Sequence, residues 1–310
     1  MPNTLAHIGL QGVLTRKLID NTDLKWVYVG CIIPDFPWIL QRVLISLIPG
    51  LNLYSLRSYV IIQSSLLFCL VLSAGIATHS NDFWKTFKIL GINSFFHLFL
   101  DAFQTKFANG VQFFVPFNWS LANLGLFWPE SIPTYTLTIF GLTYFFINWK
   151  RCTSTHTTLV VKSTFRISQT ALILMVYIFT PLLLLNFPVS SNNHFMKTLR
   201  PDHDRTGEYI EFDRRGFKPN PNGDMLNTFA NERIGINGIE YNKNATVSVR
   251  GTFISNEMID VIEYHVHSTW FRNYASYLGL MLITLLWIWE PAYIKIRILT
   301  QKVKHNKEKQ

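Results

Sequence analysis

Residues 89–103 read Ile-Leu-Gly-Ile-Asn-Ser-Phe-Phe-His-Leu-Phe-Leu-Asp-Ala-Phe, an apolar run with polar side chains at regular intervals. Asn93, His97 and Asp101 are spaced four residues apart, so a helix places all three on one face. A carboxylate inside a membrane-spanning helix costs about 2.5–3.5 kcal/mol on insertion scales, so it usually faces a partner, a cavity or an ion. This stretch therefore predicts a helix with one buried polar stripe that can bind a metal or transfer protons.

The composition indicates a membrane protein. The chain has 310 residues, of which 49% are hydrophobic and only 15% charged, and this balance argues against both disorder and a soluble globule. We predict a multipass α-helical membrane protein with five or six spans, because several apolar runs approach the length that crosses a bilayer. The five clearer runs are Ser58–Ala77, Ile89–Gln104, Ile132–Asn148, Thr170–Pro188 and Tyr274–Tyr293. The sixth, Trp26–Ile48, is interrupted by prolines and fits a broken or re-entrant segment as well as a span.

Basic residues predict the orientation. The linker 150–166 and the tail after Tyr293 are both rich in Lys and Arg, and such segments remain on the cytoplasmic side. Residues 189–272 carry ten basic and eleven acidic side chains, so the formal net charge of +9 comes from the rest of the chain. We predict a plasma (inner) membrane protein with residues 189–272 outside and the C-terminus in the cytoplasm. The positive charge then indicates membrane orientation and contact with anionic lipid rather than nucleic-acid binding.

A separate module interrupts the apolar pattern at residues 189–272. Short stretches alternate between polar and apolar residues there, which predicts strands, and Asn237-Gly238 predicts a tight hairpin. A small closed barrel of the oligonucleotide/oligosaccharide-binding (OB) type would hide the edges of four or five such strands. We therefore predict a membrane-embedded helical region 1–188, the extracytoplasmic β-module 189–272, and a last transmembrane helix with a basic cytoplasmic tail, 273–310.

Two further segments flank the predicted site. Residues 4–19 form an amphipathic pattern, which favours a helix lying at the membrane interface. Residues 106–119 are too polar at one end and too aromatic at the other for a flexible linker, so we expect them to fold back as a lid or an interfacial loop.

Three short motifs follow one another in the N-terminal part of the chain: Gly30-Cys-Ile-Ile-Pro-Asp-Phe36, His97-Leu-Phe-Leu-Asp101 and Gly110-Val-Gln-Phe-Phe-Val-Pro-Phe117. With the early His7, they resemble the pattern of the YdjM-like family of membrane-bound metal-dependent hydrolases. The resemblance covers about residues 1–119. It implies a site for a divalent metal ion (Zn, Mn or Mg) made by His7, Asp35, His97 and Asp101.

The chain also departs from that pattern. The family has two central histidines where this sequence reads Leu56-Arg57-Ser58 and Gln63-Ser-Ser-Leu-Leu67. A site with fewer nitrogen ligands shifts its preference from zinc toward ions that favour oxygen. Arg57 could instead bind a phosphate, or it could lie at a span end with its charge at the interface.

Each candidate residue has a structural alternative. His97 and Asp101 could form an interhelical hydrogen bond without an ion, and Asp35 could cap the helix that follows it. Asn93 suits a hydrogen bond to a ligand better than ligation itself. His265 and His267 point to one face of a strand, where they are either a second metal site or solvated histidines.

The leading hypothesis is an integral membrane hydrolase that acts on a lipid or lipid-linked substrate, including phosphoesters. Its partners would be membrane lipids and a protein bound by residues 189–272. The alternative is a non-catalytic membrane scaffold whose polar stripe joins helices and whose β-module recruits that partner. A transporter is the third reading, because a broken helix beside intramembrane Asp and His can form an ion pathway.

Overall fold

The computed structural model describes residues 3–154, 164–200, 202, 204–221, 223–268 and 270–307. The helices before the β-module are α1 (Thr4–Leu18), α2 (Leu24–Gly30), α3 (Phe36–Leu47), α4 (Leu53–Gln63), α5 (Leu66–Ala77), α6 (Phe83–Ala102), α7 (Ile132–Ile147), α8 (Trp149–Ser154), α9 (Thr164–Leu183) and α10 (Asn186–Ser190). The strands are β1 (Tyr209–Lys218), β2 (Asp224–Asn227), β3 (Arg233–Asn237), β4 (Ala245–Ser255) and β5 (Met258–His267), and α11 (Trp270–Lys307) follows. Part of the basic linker, residues 155–163, lies outside this description, as do the side chains of the basic tail.

The prediction of five or six membrane spans is wrong. Among the described residues, two helical segments are long and apolar enough to cross a membrane, Leu24–Leu47 and Thr164–Ser190. A third possibility is the pair α4 and α5, which meets the criterion only if both helices count as one span despite a bend of 70° between them. Two apolar helices that could span a membrane are thus what remains of the predicted bundle.

The predicted span Tyr274–Tyr293 lies in α11, which is not among the candidate spans found in the described residues. The three remaining apolar runs fail for separate physical reasons. Ser58–Ala77 is broken at Ser64, and the backbone N–H of Leu66, the first residue of the next helix, donates to the backbone carbonyl of Gln112. In α6, many of the buried side chains are polar. Only part of this helix surface is therefore apolar, and its overall hydropathy is too low for a span. Helix α7 has 16 residues, which is short for a span of about 20 residues.

The amphipathic pattern of residues 4–19 predicted a helix at the membrane interface. Helix α1 is instead packed inside the protein. It packs against α6, α7 and α11, and residues on all its sides are buried, including His7 and Gln11. Close approach to α7 requires glycine, because a Cβ on Gly141 would overlap the backbone carbonyl of Leu5. The position of α1 matters because it carries a candidate ligand into the core.

The predicted β-barrel is present. Five strands close in the order β1-β2-β3-β5-β4, a Greek-key arrangement in which β3 and β5 pair in parallel and the other pairs are antiparallel. Its interior holds a cluster of apolar side chains that includes Phe212, Phe217 and Phe253. The hairpin predicted at Asn237-Gly238 is wrong, since β3 pairs with β2 and β5 rather than with β4.

The barrel is docked on the loop that follows α6. The backbone N–H of Ala108 donates to Oε2 of Glu211 (2.6 Å), and the Asn109 amide donates to Oδ2 of Asp213 (2.9 Å). The guanidinium of Arg250 lies 3.9 Å from the ring centroid of Phe107. The loop expected to act as a lid is therefore clamped between the helices and β1.

Candidate metal centre

Three separate parts of the chain bring four polar side chains together. His7 comes from α1, while His97 and Asp101 come from successive turns of α6. Asp35 lies at the end of a short 3₁₀ turn, Ile33–Asp35, that leads into α3. The structure thus gathers all four residues that the sequence proposed as metal ligands.

The separations between these side chains suit a small cation. Nε2 of His7 lies 3.6 Å from Oδ1 of Asp101, and Nε2 of His97 lies 3.6 Å from Oδ1 of Asp35 and 3.9 Å from Oδ2 of Asp101. One ligand atom from each of His7, His97 and Asp101 lies within 4.8 Å of the other two. Ligand atoms bound about 2.1 Å from one ion are roughly 3–4 Å apart, so modest side-chain movement would close the site.

The atoms that face each other are also those without hydrogen bonds. Among the described residues, Nε2 of His7, Nε2 of His97, Oδ1 of Asp35 and Oδ1 of Asp101 are buried and have no hydrogen-bond partner. A buried polar atom without a partner costs about 1–3 kcal/mol, and four of them at one point would not persist without compensation. A cation bound between His7, His97 and Asp101 would satisfy three of these atoms, and Asp35, whose Oδ1 lies 3.6 Å from Nε2 of His97, could reach it only by moving.

The opposite nitrogen of each imidazole is held by a hydrogen bond. Nδ1 of His97 lies 2.6 Å from the backbone carbonyl oxygen of Cys31, to which it donates. Nδ1 of His7 lies 2.9 Å from the amide of Gln11, whose other end donates to Asn93 when its carbonyl oxygen accepts from His7. In the neutral form of each ring, a proton on Nδ1 satisfies these bonds and leaves a lone pair on Nε2, which is the usual arrangement of metal-binding histidines.

Gln11 was missed in the sequence, although its spacing of four residues from His7 on one helix was a usable signal. Among the described residues, the side chain of Asn93 makes its hydrogen bonds outside the four candidate ligands. Its Oδ1 accepts from Thr15, and the Asn93 amide donates to the carbonyl of Ile89 (2.6 Å). Asn93 thus joins α1 to α6 through Gln11, as a residue that supports the site.

Asp35 does not act as a helix cap. Its side chain makes no capping hydrogen bond to α3, although Pro37 occupies the first turn as expected. The carboxylate turns toward His97 instead and remains 20% exposed. The structure therefore removes the capping alternative for this residue.

Electrostatics favour neutral His7 and ionised Asp101. Burial, followed by the proximity of His97, lowers the pKa of His7 to about 4. Burial opposes ionisation of Asp101, but Lys106, whose Nζ lies 3.3 Å from Oδ2, together with His7 and His97, holds the pKa of Asp101 well below its usual range. Burial also acts to lower the pKa of His97, and the carboxylates of Asp35 and Asp101 outweigh it, so that the pKa of His97 is raised.

Asp101 also lines a cavity of about 510 Å³ between the helices and the barrel. The cavity wall includes Trp38 and Arg57 from the helical part and Arg215 from β1. Six basic and two acidic side chains line it, so its charge is strongly positive. The basic ones are Arg42, Arg57, Lys106, Arg214, Arg215 and Arg272, and the acidic ones are Asp101 and Asp213.

A second group of possible ligands comprises Glu130, His265 and His267. Glu130 is already bonded, because it accepts from Arg214 (3.1 Å) and lies 3.2 Å from Nδ1 of His267. Nε2 of His267 lies 2.7 Å from Oγ of Ser248, and the His265 ring stacks on Trp128 with centroids 3.8 Å apart. The contacts make this group a polar link between β5 and the loop before α7.

No protein-family model, curated protein or solved structure matches this chain. The resemblance to YdjM-like proteins therefore stays a prediction, carried by the motifs themselves.

Proposed function

We propose that this protein is a membrane-bound, divalent-metal-dependent hydrolase of lipid or lipid-linked phosphoesters. The observation that carries the proposal is the convergence of four buried atoms without hydrogen bonds, on His7, Asp35, His97 and Asp101. Two imidazoles and two carboxylates give a mixed nitrogen and oxygen site, which favours Mn²⁺ or Zn²⁺ over Mg²⁺. When bound, such an ion supplies a water activated for attack and polarises the phosphoryl oxygen.

The cavity supports an anionic substrate. Its basic residues outnumber its acidic ones by six to two, and Asp101 belongs both to the cavity wall and to the candidate metal centre. Arginine and lysine bind phosphate oxygens through charge-assisted hydrogen bonds, and they stabilise the charge that spreads over those oxygens in the transition state. Lys106 contacts Asp101 and lines the cavity, so it can act on the carboxylate and the substrate together.

The position of α3 supports a lipid substrate. This helix forms part of the candidate span Leu24–Leu47, and it lines the cavity with Trp38 and Ile45. Other residues of α3, such as Leu40 and Val43, expose apolar surface. A lipid could therefore approach the cavity along a wall that itself lies in the bilayer.

The basic linker also indicates how the protein is oriented in the membrane. The candidate span Thr164–Ser190 joins the basic linker 150–166 to the barrel. Because basic segments remain on the cytoplasmic side, the barrel and the cavity beside it would face the extracytoplasmic side.

Metal content tests the proposal. We expect near-stoichiometric Mn or Zn in detergent-purified wild type, measured by mass spectrometry after loading and desalting, and loss of that metal in His97→Ala and Asp101→Ala. The matched control is His265→Ala, which removes an imidazole from the second group and should keep the metal. Metal-loaded wild type should release phosphate from phosphatidic acid in mixed micelles, and both site variants should not.

A wild type that binds no metal after loading with Zn, Mn or Mg would overturn the proposal and favour the scaffold alternative. Equal metal loss in His265→Ala would show that metal binding does not depend specifically on His97 and Asp101, and would contradict the proposed centre. Retained metal without phosphate release would leave the centre in place but exclude this phosphoester as its substrate.

A further inference from the structure

We propose that Arg57 and Arg215 form a phosphate cradle, a subsite completed by the barrel that holds a phosphate group of the ligand next to the candidate metal centre. The assignment of that group to a substrate rests on the proposed function, whereas binding of phosphate to the cradle does not require the metal. The barrel would then be part of the ligand site rather than a separate partner-binding module.

A backbone irregularity in β1 directs Arg215 into the cavity. The pairing of β1 with β4 shifts register between Phe212 and Arg215, and Arg214 in this bulge has a φ of 52°. Positive φ is uncommon for residues other than glycine, and it costs energy that the surrounding structure must offset. Bulges of this kind re-aim side chains next to functional sites, and here Asp213, Arg214 and Arg215 all line the cavity.

Aromatic rings hold the two guanidinium groups in place. The guanidinium carbons of Arg57 and Arg215 lie 5.4 Å and 5.9 Å from the ring centroid of Phe229, and that of Arg57 lies 4.8 Å from the Trp38 ring. His194 contributes Nδ1, 3.2 Å from an amino group of Arg57. Stacking on rings orients a guanidinium without neutralising it, so its donors remain available to a ligand.

The positive charge of the cradle is not balanced by the protein. Among the described residues, neither guanidinium forms an ion pair with a carboxylate, and Nε of both Arg57 and Arg215 is buried without a hydrogen-bond partner. Asp213 is the nearby carboxylate that acts electrostatically on both, and its own oxygens already accept from Asn109 and Ser248. Burial lowers the pKa of Arg215 against the influence of Asp213.

Phosphate fits these requirements better than a carboxylate or a neutral group. Two guanidiniums, one from α4 and one from β1, can each donate a pair of hydrogen bonds, and a phosphate group offers enough oxygens to accept from both. Lys106 lines the same cavity, and its Nζ lies 3.3 Å from Oδ2 of Asp101 at the candidate metal centre. A phosphate bound here would therefore share one cavity with Asp101 of the candidate metal centre.

Inorganic phosphate is the probe for the cradle. Titration of the full-length, chelator-treated protein in detergent by calorimetry should show binding of orthophosphate. Arg57→Gln and Arg215→Gln should each weaken it by roughly tenfold or more, since each removes charge-assisted hydrogen bonds. Arg215→Lys, which keeps the charge but loses the paired donors, should fall between wild type and Arg215→Gln.

Arg233→Gln is the matched control, because it removes the same charge from an exposed position of β3 outside the cavity. It should bind phosphate within about twofold of wild type. Melting curves without phosphate establish that each variant is folded. No binding in wild type, or equal weakening in Arg233→Gln and Arg215→Gln, would overturn the proposal.

Two further experiments test where the phosphate comes from and whether its binding needs the metal. Nanodiscs with phosphatidic acid, compared with nanodiscs with phosphatidylglycerol, test whether a lipid phosphomonoester competes with orthophosphate. His97→Ala should keep phosphate binding even though it loses metal, so failure of the metal centre is distinguishable from failure of the cradle. Loss of phosphate binding in folded His97→Ala would instead show that the anion binds at the centre and not in the cradle.

Discussion

The imidazole rings of His7 and His97 are stacked face to face, with their centroids 3.8 Å apart and their planes inclined by 1°. The two residues are 90 positions apart and belong to α1 and α6, yet their Nε2 atoms face the same carboxylate of Asp101. Two charged imidazolium rings would repel each other in this geometry, so at least one ring must be neutral. Because the pKa of His7 is lowered and that of His97 is raised, His7 is the ring that is favoured as neutral.

Gln11 should control metal affinity without touching the metal. Gln11→Leu removes the amide that accepts from Nδ1 of His7, so the ring can turn or change tautomer. We expect metal affinity to fall by roughly 10–100-fold, the usual effect of losing such a partner. Competition with a fluorescent chelator measures the change, and Gln63→Leu, which removes another buried amide away from the site, should leave affinity unaltered.

The contact between α1 and α7 should not tolerate a side chain at Gly141. In Gly141→Ala the new methyl overlaps the Leu5 carbonyl, so α1 must move and carry His7 with it. Overpacking of this kind costs about 1–3 kcal/mol, which lowers the melting temperature, and the displaced His7 should also weaken metal binding. Gly75→Ala is the control, because its methyl meets only a side-chain atom of Ile173 at 3.3 Å. Equal melting temperatures in the two variants would contradict this account.

Docking of the barrel should weaken in acid. Burial lowers the pKa of His267 from 6.5 despite the opposing effect of Glu130, and Arg214 adds to the lowering while Asp213 opposes it. The pKa of Glu130 is also lowered, because hydrogen bonds from His265 and His267 outweigh its burial.

Both shifts mean that the unfolded or undocked state binds more protons, so stability is lost as the pH falls. For His267 the loss begins near pH 6.5 and continues down to its lowered pKa, and for Glu130 it begins near pH 4.5. Hydrogen exchange of β5 should therefore speed up between pH 7.5 and pH 5.5 relative to the intrinsic rate. His267→Gln should abolish the part of this dependence that lies near pH 6.

The exposed surface of α9 should lie in lipid. Ile178 is 44% exposed near the middle of the candidate span Thr164–Ser190. Ile178→Lys should reduce membrane insertion, since a charge at the centre of a span costs about 2.5–3.5 kcal/mol. Resistance to carbonate extraction measures insertion, and Ile254→Lys on the barrel, where the isoleucine is similarly exposed, should have little effect.

Local sequence spacing was enough to identify several parts of this protein. The four-residue interval of Asn93, His97 and Asp101 determines one face of a helix whatever surrounds it. Two-residue alternation likewise predicted four or five short strands within residues 189–272, where the structure has five. The four candidate ligands were named from short motifs, and the structure places them together.

The tertiary structure decided what these elements face. An apolar run has the same sequence whether it contacts lipid or protein, so the number of spans and the burial of α1 could not be read from hydropathy. The pairing of β3 with β5 and the contribution of Arg215 to the cavity join residues that are distant in sequence. Such contacts depend on how helices and strands pack against each other, and the local spacing of residues cannot predict them. They bring the polar face of α6 together with the other residues of the candidate site.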